Sequence, residues 1–140
     1  MTTKIEKSVF LRAAPEKVWA YLTQPEQLKL WFHEARAPLE DGQPYALKGG
    51  DGDDLCWGEV TSANPPTELI YTFTHNHLKG HKTRVHWTLE PVESGTLLRL
   101  VHDGFEDAPV PAFDMLCSHD GGWDEHLGRM RQLAKESVGA

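Results

Sequence analysis

The sequence predicts an α+β fold in which a curved antiparallel sheet packs on one long C-terminal helix. Three observations carry this expectation. Apolar and aromatic residues alternate in several short segments, as in Leu69, Tyr71 and Phe73 or Val85, Trp87 and Leu89, which is the period of a half-buried strand. Turn-forming pairs separate these segments at short intervals. Near the C-terminus, Trp123, Leu127, Met130 and Leu133 recur at helical spacing instead. A sheet and a helix that both turn large side chains inward can close around a cavity.

The elements follow in order. Residues 4–12 read as a strand, with Ile5, Val9 and Leu11 on one parity. Pro15 opens a helix at the position where its missing N–H costs nothing, and Val18, Trp19 and Leu22 form its apolar face. Gln24-Pro25 ends it, because a residue before proline avoids the helical region. Pro25 starts a second short helix with Leu28, Trp31 and Phe32 in one stripe. Strands are then expected at about 36–40, 44–49, 54–62, 67–75, 82–91 and 96–105. Asp41-Gly42, the run from Gly49 to Asp53, Asn64-Pro65-Pro66 and Ser94-Gly95 divide them. A polar link, EDAPVPA, leads into a helix from about 112 to 137, with an interruption expected at Gly121-Gly122. Short turns between consecutive strands make an antiparallel meander. Its buried face needs a cover, and only the long helix is large enough. The result is a helix grip, a single domain over residues 1–140.

Bulk properties narrow the function. The chain has 140 residues, 39% hydrophobic and 25% charged, with a formal net charge of −7, so it is long enough for one domain with a real core. Acidic balance disfavours nucleic acid and anionic membranes. The densest basic cluster, Lys79, Lys82 and Arg84, is broken by Gly80 and His81. No run approaches the roughly 20 apolar residues of a membrane span, and the start lacks a signal-like apolar stretch. Cys56 and Cys117 do not make a disulfide framework. The expected compartment is the cytoplasm.

Four segments, in order, resemble the START-like (SRPBCC) superfamily. They are APEKVWAYLTQPEQLKLWF, WGEVTSANPPTELIYTF, VHWTLEPVESGTLLRLVHDGF and GGWDEHLGRMRQLAK. Within it they are most similar to the domain named for the activator of the heat-shock chaperone ATPase. The resemblance implies a helix grip with an internal pocket between sheet and long helix. Members of the superfamily bind lipids, sterols, polyketides or plant hormones there, and a few are aromatase/cyclases or lyases. The eukaryotic chaperone activator carries much of its activity in a further N-terminal domain, for which this chain has no room.

The candidate ligand-binding residues are Trp31, Phe32, Tyr71, Phe73, Trp87, Leu100, His102, Trp123 and Leu127. Each aromatic ring also suits an ordinary core. His102 shares its face with Leu98 and Leu100. It is either a satisfied core histidine or a polar anchor or proton carrier for a ligand. Asp103 has the opposite parity, so the two do not align as a catalytic pair. His75, His77 and His81 make a His-rich tract, but Gly80 and the lack of nearby acidic or Cys ligands point to a loop, and to a lid for the pocket, rather than a metal site. GGDGDD lacks the spacing of a calcium loop and reads as a solvated turn.

There is no nucleophile elbow, phosphate loop or dinucleotide fingerprint. Cys56 reads as a small buried hydrophobe. Glu34, Glu59 and Glu125 cannot be paired for acid–base work from sequence. No catalytic residue, metal or cofactor is assigned. The leading reading is binding of a small apolar or amphipathic molecule. The alternatives are a protein-interaction module regulating a chaperone or another partner, and a cyclase- or lyase-type enzyme. The enzyme would need two convergent ionisable groups, with His102 the one credible first member.

Overall fold

The computed structural model describes residues 4–75, 78, 81–105 and 112–138, of which 112–116 and 136–138 are described by their backbone alone. The elements are β1 (Ile5–Leu11), α1 (Pro15–Thr23), α2 (Pro25–Trp31), β2 (Pro44–Lys48), β3 (Asp54–Asn64), β4 (Glu68–His75), β5 (Thr83–Val92), β6 (Gly95–Asp103) and α3 (Ala112–Val138). The strands form one six-stranded sheet in the order β1-β6-β5-β4-β3-β2. All neighbours are antiparallel. The meander therefore runs from β2 to β6, and β1 returns to pair with β6.

Alternation sets the concave face. Leu69, Tyr71 and Phe73 of β4, Val85, Trp87 and Leu89 of β5, and Leu98, Leu100 and His102 of β6 are all buried. The register places Trp87 opposite Leu69 and Leu100, and Val85 opposite Tyr71 and His102. Directly opposed residues project to the same face, so the large side chains form continuous rows. Trp123, Leu127, Met130 and Ala134 of α3 are buried against them.

Two expectations are corrected. Residues 36–40 are not a strand. Only Ala35 forms a bridge, to Leu47. Pro38 has no N–H for a ladder, and the N–H of Leu39 bonds Thr23 O at the end of α1 instead, at 3.0 Å. The segment is thus a strap that anchors β2 to the helices. Secondly, α3 continues through Gly121-Gly122 without interruption. Two glycines weaken a helix by about 0.5–1 kcal/mol each, and burial of Trp123, Leu127 and Met130 offsets that.

The helix lies asymmetrically on the sheet. It crosses β1 and packs beside α2. Lys7 of β1 reaches Asp120 and Asp124 of α3, both at 2.8 Å. On the other side, toward β3 and β4, helix and sheet are separated by a cavity. The turn before β3 is held by Gly52, with φ of 86°, and by Arg36, which bonds Asp54 and donates to the Gly52 carbonyl at 2.7 Å. Among the described residues no helix is long and apolar enough to cross a membrane. Both cysteines are free, Cys56 buried and Cys117 exposed. Most of the expected loop at 76–80, including His77, and most of EDAPVPA lie outside the described residues.

Candidate functional site

The cavity has a volume of about 400 Å³. Leu55 and Cys56 of β3 and Phe73 and His75 of β4 make its sheet wall. Ser118, His119, Gly122, Trp123 and His126 make its helix wall, and Phe32 and His33, just after α2, close one end. The spacing explains the helix wall. Positions 119, 122, 123 and 126 stand three and four apart, so they share one helical face. Leu55 at the rim is 42% exposed, so the cavity opens to solvent.

Aromatic rings dominate the inner surface. Phe32 stacks between Trp31 at 5.1 Å and Trp123 at 5.3 Å. Trp123 meets the edge of Trp87 at 5.4 Å. Trp31 and Trp87 lie behind this layer, T-shaped at 6.1 Å. Their polar tips are satisfied within the protein. Trp31 Nε1 donates to Tyr21 O at 2.7 Å, and Trp87 Nε1 donates to Tyr71 Oη at 3.0 Å.

Of the residues proposed from sequence, Phe32, Phe73 and Trp123 border the cavity. Trp31, Tyr71, Trp87, Leu100, His102 and Leu127 are buried behind it. His102 is fully enclosed, and its hydrogen bonds determine its tautomer. Trp123 Nε1, which can only donate, bonds His102 Nδ1 at 3.0 Å. The ring hydrogen therefore sits on Nε2 and is donated to Thr83 Oγ1 at 2.7 Å. Thr83 in turn donates to Phe73 O at 2.7 Å. Both nitrogens are thus occupied, and His102 has none left for a ligand. Burial pushes its pKa well below the ordinary imidazole range, with His119 and His75 adding to the effect.

Histidines that the sequence did not bring together line the cavity instead. His75 Nε2 and His119 Nε2 are 2.9 Å apart. Their rings are nearly parallel, at 15°, with centroids 5.0 Å apart. The centroid distance exceeds the nitrogen distance by about two ring radii, so the rings meet edge to edge and share one hydrogen. This bond ties α3 to the end of β4. Among the described residues, no three His, Cys, Asp or Glu side chains are grouped to hold a metal ion.

At the other end, His33 and His126 lie 5.5 Å apart, at 72°. Burial pushes both pKa values down. Neighbouring His126 and Arg129 add to the shift at His33. At His126 the Trp31 carbonyl opposes it. Burial also raises the Cys56 thiol to about 12, with Asp54 contributing, so this cavity-wall cysteine is a poor nucleophile. Glu34 pairs with Lys48 and Glu125 with Arg129. Neither borders the cavity, nor does Glu59. Among the described residues the lining is mainly aromatic and imidazole, with Leu55, Cys56 and Ser118 and without a carboxylate or a fixed cation.

A family model described as Activator of Hsp90 ATPase homolog 1-like protein matches residues 12–135. The chain belongs to this family. No curated protein sequence matches it. Among solved structures, the chain is similar to MLL2253 from Mesorhizobium loti, at 24% identity and a TM-score of 0.82, over 96% of this chain and 98% of that one. It is also similar to the Aha1 dimer from Colwellia psychrerythraea, at 20% identity and 0.76, over 94% and 96%. DynU16, a protein of the dynemicin biosynthetic locus, gives 25% identity and 0.78, over 92% of this chain. The chain spans 46% of DynU16's length. These likenesses fit the helix-grip fold of the family, a kind of domain that holds ligands or contacts proteins.

Proposed function

We propose that this domain binds a small, planar, apolar or amphipathic molecule in the cavity between α3, β3, β4 and the end of α2. One observation carries the reading: a solvent-open cavity of about 400 Å³ walled by Phe32, Phe73 and Trp123 and edged by imidazoles. Apolar cavities with a few polar groups are the usual form of small-molecule sites. Flat ring faces suit a flat ligand, which can stack in an offset or edge-on manner. The imidazoles suit a hydroxyl, carbonyl or weakly acidic group on it. That DynU16 belongs to a biosynthetic locus agrees with a small-molecule role for this fold.

Gly122 provides a direct test. A Cβ added there meets nothing within 4 Å, yet the residue borders the cavity. Gly122→Leu should therefore fill the cavity without disturbing the helix. An anilinonaphthalene sulfonate dye should bind the wild type with enhanced fluorescence. The variant should bind it at least about tenfold more weakly, a difference of roughly 1.4 kcal/mol. Native mass spectrometry should detect a co-purifying small molecule on the wild type and not on the variant. Equal dye affinity in the two folded proteins would reject the cavity as the binding site. The family description favours a second reading, regulation of a chaperone partner. An ATPase stimulation assay that responds to Gly122→Leu no differently from wild type would separate that activity from the cavity.

A further inference from the structure

An enzyme working in this cavity needs an ionisable group with a nitrogen or oxygen to offer its ligand. His102 cannot serve, because Trp123 and Thr83 occupy both of its nitrogens. His126 can. Its Nδ1 lies 3.1 Å from the Trp31 carbonyl oxygen. Trp31 is the last residue of α2, where a carbonyl lacks an intrahelical donor. A carbonyl only accepts, so Nδ1 carries the hydrogen. Arg129 Nη1, which can only donate, also approaches Nδ1, at 3.0 Å, a contact that needs the opposite tautomer and is given up when Nδ1 carries the hydrogen. Arg129 is exposed and tied to Glu125, whereas the backbone holds the carbonyl in place. The carbonyl therefore decides the tautomer.

The lone pair then sits on Nε2, which has no hydrogen-bond partner among the described residues. The ring borders the cavity and packs edge-on against Phe32 at 4.7 Å. A histidine oriented through Nδ1–H to a backbone carbonyl, with Nε2 presented to a ligand, has the arrangement of a general base. Burial lowers the pKa of the ring, which favours the neutral form that a base requires.

We propose that the cavity is a proton-transfer site in which His126 Nε2 removes an acidic C–H proton from a planar ligand lying against Phe32 and Trp123. This rests on the ligand-binding reading above. The proton passes from ligand carbon to Nε2. The C–H electron pair moves into a conjugated carbonyl of the ligand, giving an enolate. The imidazolium keeps its Nδ1–H on Trp31 O. Return of the proton to the same or a conjugated carbon completes an exchange or an isomerisation and needs no co-reactant.

A planar carbon acid, 5-nitrobenzisoxazole, tests this without knowledge of the natural ligand. A base takes its ring C–H proton, the electron pair completes a nitrile, the N–O bond breaks, and the oxygen leaves as a coloured phenolate. The wild type should show saturable turnover faster than free imidazole at equal concentration. His126→Gln should lower kcat by about 100-fold, within the usual range for a general base, while KM changes little. His126→Ala should regain rate on addition of imidazole, a response that a merely structural role would not give. The groups facing His126 are His33, Glu125 and Arg129, and kcat should fall with acid only below the ordinary imidazole range. Saturable turnover that is unaffected by His126→Gln, or no faster than free imidazole, would overturn the base and leave ligand binding standing. Failure of the probe both to saturate and to displace the dye would overturn both.

Discussion

The two sides of α3 differ although one helix and one sheet build both. Toward β1 the helix is packed shut, with Met130 and Ala134 wholly buried and Lys7 spanning to Asp120 and Asp124. Toward β3 and β4 the same helix stands off, and the gap is lined by Phe32, Phe73, Trp123 and four histidines. On the closed side each apolar side chain meets another. On the open side the rings face space, and imidazoles able to hydrogen-bond sit among them. The contrast suggests a division of work, in which one side holds the fold and the other is left available for a ligand.

The sharpest way to break that contrast is to truncate both sides. Trp87, with no exposed surface, packs against Trp31 and Trp123. Trp87→Ala should cost about 3–5 kcal/mol in denaturant unfolding. Phe32→Ala, at a half-buried position on the cavity, should cost clearly less and weaken dye binding. Similar losses of stability would show that the cavity wall is ordinary core.

His102 stands where the two sides meet. Replacing it by Phe leaves Trp123 Nε1 without its acceptor, and a buried unsatisfied group costs about 1–3 kcal/mol. The variant should also change the pH response. The folded pKa of His102 lies well below that of the unfolded chain, so the unfolded state binds more protons in acid. Stability is then full above about pH 6.5 and falls as pH drops below it, by up to about 1.4 kcal/mol per pH unit per group. His33 and His126 shift in the same direction, so His102→Phe should reduce the acid slope without abolishing it. An unchanged slope would mean that His102 titrates normally.

Smaller effects test the closed side. Lys7→Met removes a cation whose carboxylate partners are more than half exposed. Its cost should stay below about 1 kcal/mol and shrink with added salt. Gly128, on α3 away from the cavity, has open space around an added Cβ. Gly128→Ala should raise stability by about 0.5–1 kcal/mol through helix propensity alone, with dye affinity unchanged. A change in dye affinity would mean that the two sides of the helix are coupled.

How much of this was legible beforehand depends on the kind of feature. Strand parity places Tyr71, Phe73, Trp87 and His102 on the concave face, and helical spacing places Trp123, Leu127 and Met130 opposite them. Both follow from local periodicity, and the family resemblance supplied the grip. The strap at 36–40 was missed because an apolar Leu39 between turn signals looks like a strand until its N–H is seen bonded to Thr23. The unbroken α3 was missed because the local cost of two glycines says nothing of the burial that offsets it. His33 and His126 carried no signal at all, since nearly a hundred residues separate them.

What the sequence by itself determined is which side chains point inward, because a period of two or 3.6 residues is a local property of the backbone. What only the tertiary structure decided is which inward residues meet another side chain and which meet a void. That outcome depends on where α3 crosses the sheet, a result of packing summed over Lys7, Trp123, Met130 and their distant partners. The same crossing brings His75 to His119 and seats His126 on the Trp31 carbonyl. Hydrogen bonds of that reach are made by the fold as a whole, so no window of sequence contains them.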